Sequence, residues 1–74
     1  MGKPTIRQLE YVLATARSGS LRRAAEELAI SQPTLTAQIA RAEESLGVTL
    51  FERTRSGARL TPAGRRLEPQ ALRV

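Results

Sequence analysis

The sequence predicts a small, mainly α-helical domain in which three helices precede a two-stranded β-hairpin and the beginning of a fourth helix. Its 74 residues are enough for one domain. From Ile6 to Gly47, apolar residues recur at the three- and four-residue spacing of helices. From Val48 onward, alternation with β-branched and aromatic residues replaces that spacing, as is typical of short strands. The two patterns together indicate a helical core with a hairpin attached.

A Ser-Gly-Ser segment separates the first two helices. Helix 1 is predicted at about residues 6–17, because Thr5 and Gln8 have the spacing of a capping box. Gly19 suits the left-handed end of that helix, and Ser20 can cap helix 2 at about residues 21–29. The expected core positions are Ile6, Leu9, Val12, Leu13, Ala16, Leu21, Ala24, Ala25 and Leu28. The small alanines of helix 2 let another helix cross closely, as a helix-turn-helix requires.

Helix 3 is predicted to begin near Gln32, with Ser31 as its cap and Pro33 in its first turn, and to stop at Gly47. Its expected core stripe is Leu35, Ile39, Ala42 and Leu46. The opposite face has Pro33, Ala37 and Ala40 where lysine and glutamate are usual. Short side chains there would let the helix enter a DNA major groove, although a plain surface helix in an alanine-rich protein would look similar.

The hairpin is predicted over residues 48–60, with its turn at Ser56 and Gly57. Thr61 and Pro62 repeat the cap-then-proline signal, so a fourth helix should begin near Pro62. We therefore expect a winged helix-turn-helix domain in residues 1–61 and the shortened start of a fourth helix in residues 62–74. The apolar side of this fourth helix carries Leu67, Ala71 and Leu72.

The charge balance favours a polyanionic partner. Twelve basic residues, eleven of them arginine, outweigh seven acidic ones and give a net charge of +5. The chain has no histidine, cysteine or aspartate, so we expect no active site, no metal site and no cofactor. No apolar run reaches the length of a membrane span, and no secretory signal is evident. We expect a cytoplasmic, nucleoid-associated protein without a small-molecule site in this segment.

Candidate DNA contacts on helix 3 lie mainly in its first two turns. They are Gln32, Pro33, Thr34, Thr36, Gln38 and Arg41. The amide of Gln32 can bond both edge atoms of adenine, and the proline and threonine methyl groups can contact thymine methyls. Arg41, one turn deeper, can reach a phosphate or a guanine. These residue types therefore fit base reading.

Three further polar residues have two interpretations each. Ser31 is expected mainly to cap helix 3, and contact with a phosphate would be additional. Arg22 and Arg23 can pair with Glu26 and Glu27 on a solvated face, or contact phosphates where helix 2 crosses the DNA backbone. The residue pattern leaves both interpretations of the two arginines open.

The hairpin concentrates arginines around its turn. An arginine projected from such a turn can enter a narrow minor groove, where the negative potential is greatest. Arg53 is the preferred candidate and Arg55 the second, whereas Arg59 fits a charged, solvated position better. The hairpin is thus expected to act as a DNA-binding wing.

A family resemblance rests on motifs that span nearly the whole chain. They are Leu9-Glu10-Tyr11, Arg23-Ala24-Ala25-Glu26, Ser31-Gln32-Pro33-Thr34-Leu35-Thr36, Gln38-Ile39, Glu43, Leu46-Gly47-Val48, Leu50-Phe51-Glu52-Arg53-Thr54 and Leu60-Thr61-Pro62-Ala63-Gly64. At these positions the sequence resembles the LysR-type transcriptional regulators. Within that family, the first three motifs, with the second extended back to Arg22 and the third taken as far as Leu35, look most like the peroxide-sensing OxyR branch.

The resemblance implies a winged domain followed by a long linker helix, which starts in residues 62–74 and pairs with its twin through Leu67, Ala71 and Leu72. We therefore expect a homodimer, and a higher oligomer in a full-length regulator. Such a dimer would bind an interrupted palindrome in double-stranded DNA. It also implies base reading by the start of helix 3 and a wing role for Arg53. Two departures are Ala37, where a basic residue is frequent, and Ala42, where leucine is usual. The effector domain of the family would follow the linker helix.

Two other functions are compatible with the basic charge. A dimerisation or protein-interaction module could bind an acidic protein, but this would not account for the small residues on helix 3. Structured RNA is disfavoured because Tyr11 and Phe51, the only aromatic residues, are both expected to be buried and offer no stacking platform. Duplex DNA is therefore the expected partner.

Overall fold

The computed structural model describes residues 3–55 and 57–66. In chain order, its elements are α1 (Ile6–Ser18), α2 (Leu21–Leu28), α3 (Gln32–Leu46), β1 (Phe51–Thr54) and β2 (Gly57–Leu60). Residues 62–66 are also helical, so a fourth helix begins where the cap-then-proline signal predicted it. The architecture confirms the predicted fold class, a three-helix core followed by a two-stranded wing.

Capping residues set the ends of α1 and α3. Thr5 and Gln8 form the predicted capping box, in which each side chain accepts a hydrogen bond of 3.0 Å from the other's backbone N–H. The hydroxyl of Ser31 accepts from the Thr34 N–H at the start of α3. Gly47, with φ 72°, ends α3 in the left-handed conformation. The two boundaries of α3 therefore depend on residues adjacent to it in sequence.

Helix α2 ends one residue earlier than predicted, because Ala29 adopts a left-handed conformation with φ 59°. This conformation costs a non-glycine residue about 1–2 kcal/mol. Two hydrogen bonds offset part of the cost: the Ala29 N–H donates to the Glu26 carbonyl, and the Ile30 N–H donates to the Ala25 carbonyl at 3.0 Å. The turn between α2 and α3 is therefore held by backbone bonds to the last turn of α2.

The main core lies where the three helices meet. Its buried residues are Ala14, Ala24, Ala25, Leu35 and Ile39, with Tyr11, Leu21, Leu28, Ile30 and Phe51 packed around them. Ala24 and Leu35 are completely buried, as the helix-turn-helix pattern predicted. Both aromatic rings are only partly buried, because they lie at the edge of this cluster.

Helix α1 departs from the predicted core pattern along most of its length, because Leu9, Leu13 and Ala16 are only half-buried whereas Ala14 is buried. Ile6 is 64% exposed, because it lies in the first turn of α1, outside both core clusters. Thr15 is fully buried although it is polar, since its hydroxyl donates to the Tyr11 carbonyl at 2.9 Å. A satisfied hydroxyl can occupy a core position at little cost.

A second core cluster joins the helices to the wing. It consists of Val12, Ala42 and Leu50, with Leu46 and Phe51 packed against it. Ala42 is completely buried, so the small side chain at this position belongs to the interior rather than to the surface. Leu50, also completely buried, comes just before β1 and places the first strand against α3.

The wing is shorter than predicted, and its turn comes one residue earlier. Val48 and Thr49 precede the first strand instead of belonging to it. Strands β1 and β2 pair antiparallel with Thr54 opposite Gly57, so the turn begins at Arg55 and Gly57 belongs to the second strand. Gly57 has φ 146°, and a Cβ atom built on it would lie 1.9 Å from the Gly19 carbonyl oxygen. Close contact with the loop after α1 therefore fixes the glycine in the strand.

Candidate nucleic-acid interface

The outward face of α3 is exposed to solvent over most of its length. Its exposed residues are Ser31, Gln32, Pro33, Thr34, Ala37, Ala40, Arg41 and Glu44, whereas Thr36 and Gln38 are half-buried on the flanks. Leu35, Ile39 and Ala42 are buried on the opposite side. The helical spacing in the sequence therefore separated the outward face from the core stripe correctly.

Ser31 caps α3 through two bonds to the same residue. Its hydroxyl oxygen accepts from the Thr34 N–H at 3.2 Å, and its hydroxyl hydrogen is donated to the Thr34 Oγ1 at 2.8 Å. The hydroxyl groups of Ser31 and Thr34 are thus hydrogen-bonded to each other at the start of α3. This geometry supports the capping interpretation of Ser31.

A cleft brings three of the predicted regions together. It has a volume of about 340 Å³ and lies between the starts of α2 and α3 and the wing. Arg22, Gln32, Arg53 and Arg55 all line it, although they come from three separate segments of the chain. Three guanidinium groups around one open cleft make it a site of positive potential for an anion such as a phosphate group. We refer to this region as the arginine cleft.

The two arginines of α2 differ in position. Arg22 lines the arginine cleft, but Arg23 does not. Arg22 also pairs with Glu26 at 3.7 Å, with both side chains about two-thirds exposed, at 70% and 67%. An exposed pair of this kind is worth at most about 1 kcal/mol, so Arg22 can exchange Glu26 for another anion at little cost. The pair with Glu26 therefore does not exclude contact between Arg22 and a phosphate.

The arginines of the wing differ in whether an acidic side chain pairs with them. Arg59 donates to the Glu52 carboxylate directly across the two strands, at 2.9 Å from Nη2. Neither ion pair found within residues 3–55 and 57–66 involves Arg41, Arg53 or Arg55. The three candidates are thus exposed cations that no acidic side chain of that part of the chain neutralises, whereas Arg59 has an acidic partner.

Hydrogen bonds of two residues, Gln8 and Glu43, to the elements of the candidate interface were not identified from the sequence. Gln8 was assigned to the capping box only, yet its Nε2 also donates to Gln38 Oε1 at 3.2 Å. Glu43 was noted only within the family motifs, but its Oε2 accepts from the N–H groups of Leu50 and Phe51 at 2.7 and 3.3 Å. The local pattern around either residue gives no signal of these contacts, because the partners lie on other elements.

Leu67, Ala71 and Leu72, the expected dimerisation residues, lie outside the described residues. Over the described part of the chain, no three histidine, cysteine, aspartate or glutamate residues are grouped so that they could hold a metal ion. None of the helices described there is long and apolar enough to cross a membrane.

Comparison with protein families identifies the domain. Residues 6–65 match the model of the bacterial regulatory helix-turn-helix proteins of the lysR family. The HTH-type transcriptional regulator ClcR of Pseudomonas putida is 53% identical over 58 residues, which are 78% of this chain and 20% of ClcR. The regulator OxyR of Escherichia coli is 48% identical over 69 residues, 93% of this chain and 23% of OxyR. The chain thus spans about a fifth of the length of such relatives.

Solved structures agree with the family match. An OxyR variant of Corynebacterium glutamicum superimposes with a TM-score of 0.92 at 38% identity, over 97% of this chain and 22% of that one. The DNA-binding domain of CbnR in complex with DNA superimposes with a TM-score of 0.89 at 42% identity, over 93% of this chain and 79% of that one. The DNA-binding domain of BenM in complex with benA site 1 DNA superimposes with a TM-score of 0.87 at 37% identity, over 93% of this chain and 78% of that one.

OxyR proteins are thus among the similar chains, as the first three sequence motifs indicated, and they occur together with regulators of other names. The match over residues 6–65, the three-helix core and the wing all point to the same conclusion. The chain belongs to the LysR family of bacterial regulatory helix-turn-helix proteins and carries the winged DNA-binding domain of that family.

Proposed function

We propose that this domain reads a specific duplex sequence, with the start of α3 in the major groove and the wing at the adjoining minor groove. Gln32, Pro33, Thr34 and Thr36 are the proposed base-contacting residues. Arg53 and Arg55 are proposed for the minor groove, and Arg22 for the phosphate backbone, with Arg23, Gln38 and Arg41 as further backbone contacts. The domain acts as part of a cytoplasmic bacterial transcription regulator and has no enzymatic role.

The arginine cleft is the observation that carries this proposal. In a duplex, a single sugar–phosphate strand separates the major groove from the next minor groove. A domain that uses both grooves must therefore place cations between its recognition helix and its wing. Gln32 from the start of α3, Arg22 from α2, and Arg53 and Arg55 from the wing all line the cleft. This arrangement fits one phosphate strand running through the cleft.

The shape of α3 supports entry into the major groove. That groove is about 12 Å wide, close to the diameter of an α-helix with its side chains. Ala37 and Ala40, both exposed, shorten the outward face of α3 near its middle. The helix can therefore approach the base edges closely, and the polar groups of its first turn can reach them.

Two copies acting together would raise both affinity and specificity. We propose that the linker helix, residues 62–74, pairs two domains through Leu67, Ala71 and Leu72, and that residues 1–61 form the DNA-binding unit. The two recognition helices would then meet major grooves about one helical turn apart, on an interrupted palindrome. The signal that controls the regulator would be read by a segment outside this chain.

Gln32→Ala and Arg53→Ala test the division between base reading and backbone binding. A preferred duplex is first selected from a random library, and each variant is titrated against it and a scrambled duplex at fixed salt. Gln32→Ala should lose about 1–3 kcal/mol on the preferred duplex and much less on the scrambled one. Arg53→Ala should weaken both complexes about equally, unless the flanking sequence is a stiff A-tract.

Arg59→Ala is the matched control, because its guanidinium is held by Glu52 and should change neither affinity. Equal losses on both duplexes for Gln32→Ala would contradict its base-reading role. Selection of structured RNA over duplex, or of an acidic protein with no duplex binding, would contradict the proposed function as a whole. Footprints that show one unpaired contact patch would contradict the dimer.

A further inference from the structure

A chain of hydrogen bonds connects the start of α1 to the flank of α3. The Thr5 backbone N–H donates to Gln8 Oε1 at 3.0 Å, and Gln8 Nε2 donates to Gln38 Oε1 at 3.2 Å. A backbone N–H can only donate, so the amide oxygen of Gln8 must face Thr5. The NH2 group of Gln8 must then face α3, and Gln38 can satisfy it only with its own oxygen. The orientation of both amides therefore follows from one backbone donor.

This orientation determines what Gln38 can offer to DNA. A free glutamine presents an acceptor and a donor side by side, which suits adenine. In Gln38 the oxygen is directed toward α1, and the two N–H groups of Nε2 remain for another partner. Gln38 is half-buried beside α1, whereas Ala37 and Ala40 are exposed at the middle of the outward face. A donor-only group on the flank of α3 suits a phosphate oxygen better than a base edge.

We propose that Gln8 is a positioning residue that fixes Gln38 as a hydrogen-bond donor to a DNA phosphate. This inference rests on the proposed function, because it assumes that α3 meets a duplex. Gln8 acts through Gln38 and needs no contact with DNA itself. The capping box of α1 thereby has a second role, since the bond that stabilises the helix start also sets the polarity of an interface side chain.

Gln8→Glu separates these two roles. Glutamate at this position still accepts the Thr5 N–H and keeps the capping box, but it has no N–H to donate to Gln38. Gln38 must then turn its Nε2 toward the carboxylate and direct its oxygen toward the phosphate. We expect affinity for the preferred and the scrambled duplex to fall about tenfold alike, because a charge-assisted hydrogen bond is lost. The unfolding midpoint should stay close to that of the wild type.

The negative charge that Gln8→Glu adds is controlled by repeating the change in a Gln38→Ala background. In that background Gln8→Glu should reduce affinity by less than about twofold, since no amide remains to be reoriented. An equal loss in both backgrounds would show a charge effect alone and overturn the inference. A loss confined to the preferred duplex would mean that Gln38 contacts a base, and would overturn the phosphate assignment.

Side-chain amide NMR of the free domain tests the orientation without DNA. In the wild type, one of the two Gln8 Nε2 protons should be hydrogen-bonded and protected, and both Gln38 Nε2 protons should exchange freely with water. In Gln8→Glu, the Gln38 protons should become protected instead. Failure of this exchange pattern would overturn the inference even if the domain binds DNA. Absence of duplex binding with the pattern intact would overturn the proposed function and the phosphate assignment with it, but not the orientation of Gln38 by Gln8.

Discussion

The recognition helix α3 and the wing reach their positions in different ways. Ser31 and Gly47, which flank α3 directly, set both of its ends. The four-residue strands of the wing depend on distant contacts: the Ala58 N–H donates to the Gly19 carbonyl at 3.0 Å, and Glu43 accepts from the chain before and within β1. An isolated two-stranded hairpin is marginally stable at best in water. The wing is therefore placed by the rest of the fold, whereas α3 is specified largely by its own sequence.

The same difference applies to the proposed DNA contacts. Gln32 belongs to an element with strong local signals, and Leu35, three residues later, is completely buried in the core. Arg53 and Arg55 belong to the wing, so their position changes whenever a wing contact is lost. We therefore expect substitutions at wing contacts to lower affinity without changing base preference.

The largest expected effect is that of Gly57→Ala. Its Cβ would meet the Gly19 carbonyl oxygen at 1.9 Å, and φ 146° is unfavourable for alanine. We expect a loss of about 2–4 kcal/mol in the free energy of unfolding, measured by urea denaturation. Gly47→Ala at the end of α3 is the control, because nothing lies within 4 Å and only backbone strain of about 1–2 kcal/mol applies. Similar losses of unfolding free energy in the two variants would contradict the dependence of the wing on its contact with Gly19.

Glu43→Ala should have the next largest effect. It removes the acceptor for the Leu50 and Phe51 N–H groups, and hydrogen bonds to a charged group contribute about 1.5–3 kcal/mol. Backbone amide shifts of the wing should change while those of the first turns of α3 stay in place. Glu44→Ala, one residue along and exposed, should alter the free energy of unfolding by less than about 0.5 kcal/mol. Equal changes in the free energy of unfolding for both substitutions would show that the hydrogen bonds to Glu43 do not stabilise the wing.

Ser31→Ala should have the smallest effect of the three, about 1 kcal/mol, because it removes one cap. The change in amide shifts should be confined to the first turn of α3, and the wing should be unaffected. Ser45→Ala, within the same helix, serves as the control and should alter the free energy of unfolding by less than about 0.5 kcal/mol. Disturbance of the wing by Ser31→Ala would mean that α3 and the wing are coupled more strongly than their contacts indicate.

Much of the helical part of the fold could be predicted because its determinants are local. Thr5, Ser20 and Ser31 cap the three helices as the sequence indicated, and Gly19 and Gly47 end two of them. The buried alanines of α2 and the core stripe of α3 followed from helical spacing. The exposure of Ile6 did not, because the spacing rule does not show where the neighbouring helices cease to cover α1.

The candidate site was predictable residue by residue but not as an arrangement. Residue types alone indicated Gln32, Arg22, Arg53 and Arg55, yet their convergence on one cleft depends on how α2, α3 and the wing pack. The wing turn was misplaced by one residue for a related reason. A Ser-Gly pair suits a turn, but the close approach of Gly19 requires Gly57 in the strand.

The sequence by itself determined the three helices, their caps, the outward face of α3 and the family to which the chain belongs. These features depend on residues within one or two turns of each other, or on motifs read directly along the chain. Only the tertiary structure decided the register of the wing, the pairing of Arg59 with Glu52, the hydrogen bonding of Glu43 to the start of β1 and the orientation of Gln38 by Gln8. Each of these depends on hydrogen-bonding groups that are distant in sequence and meet only when the separate elements have packed.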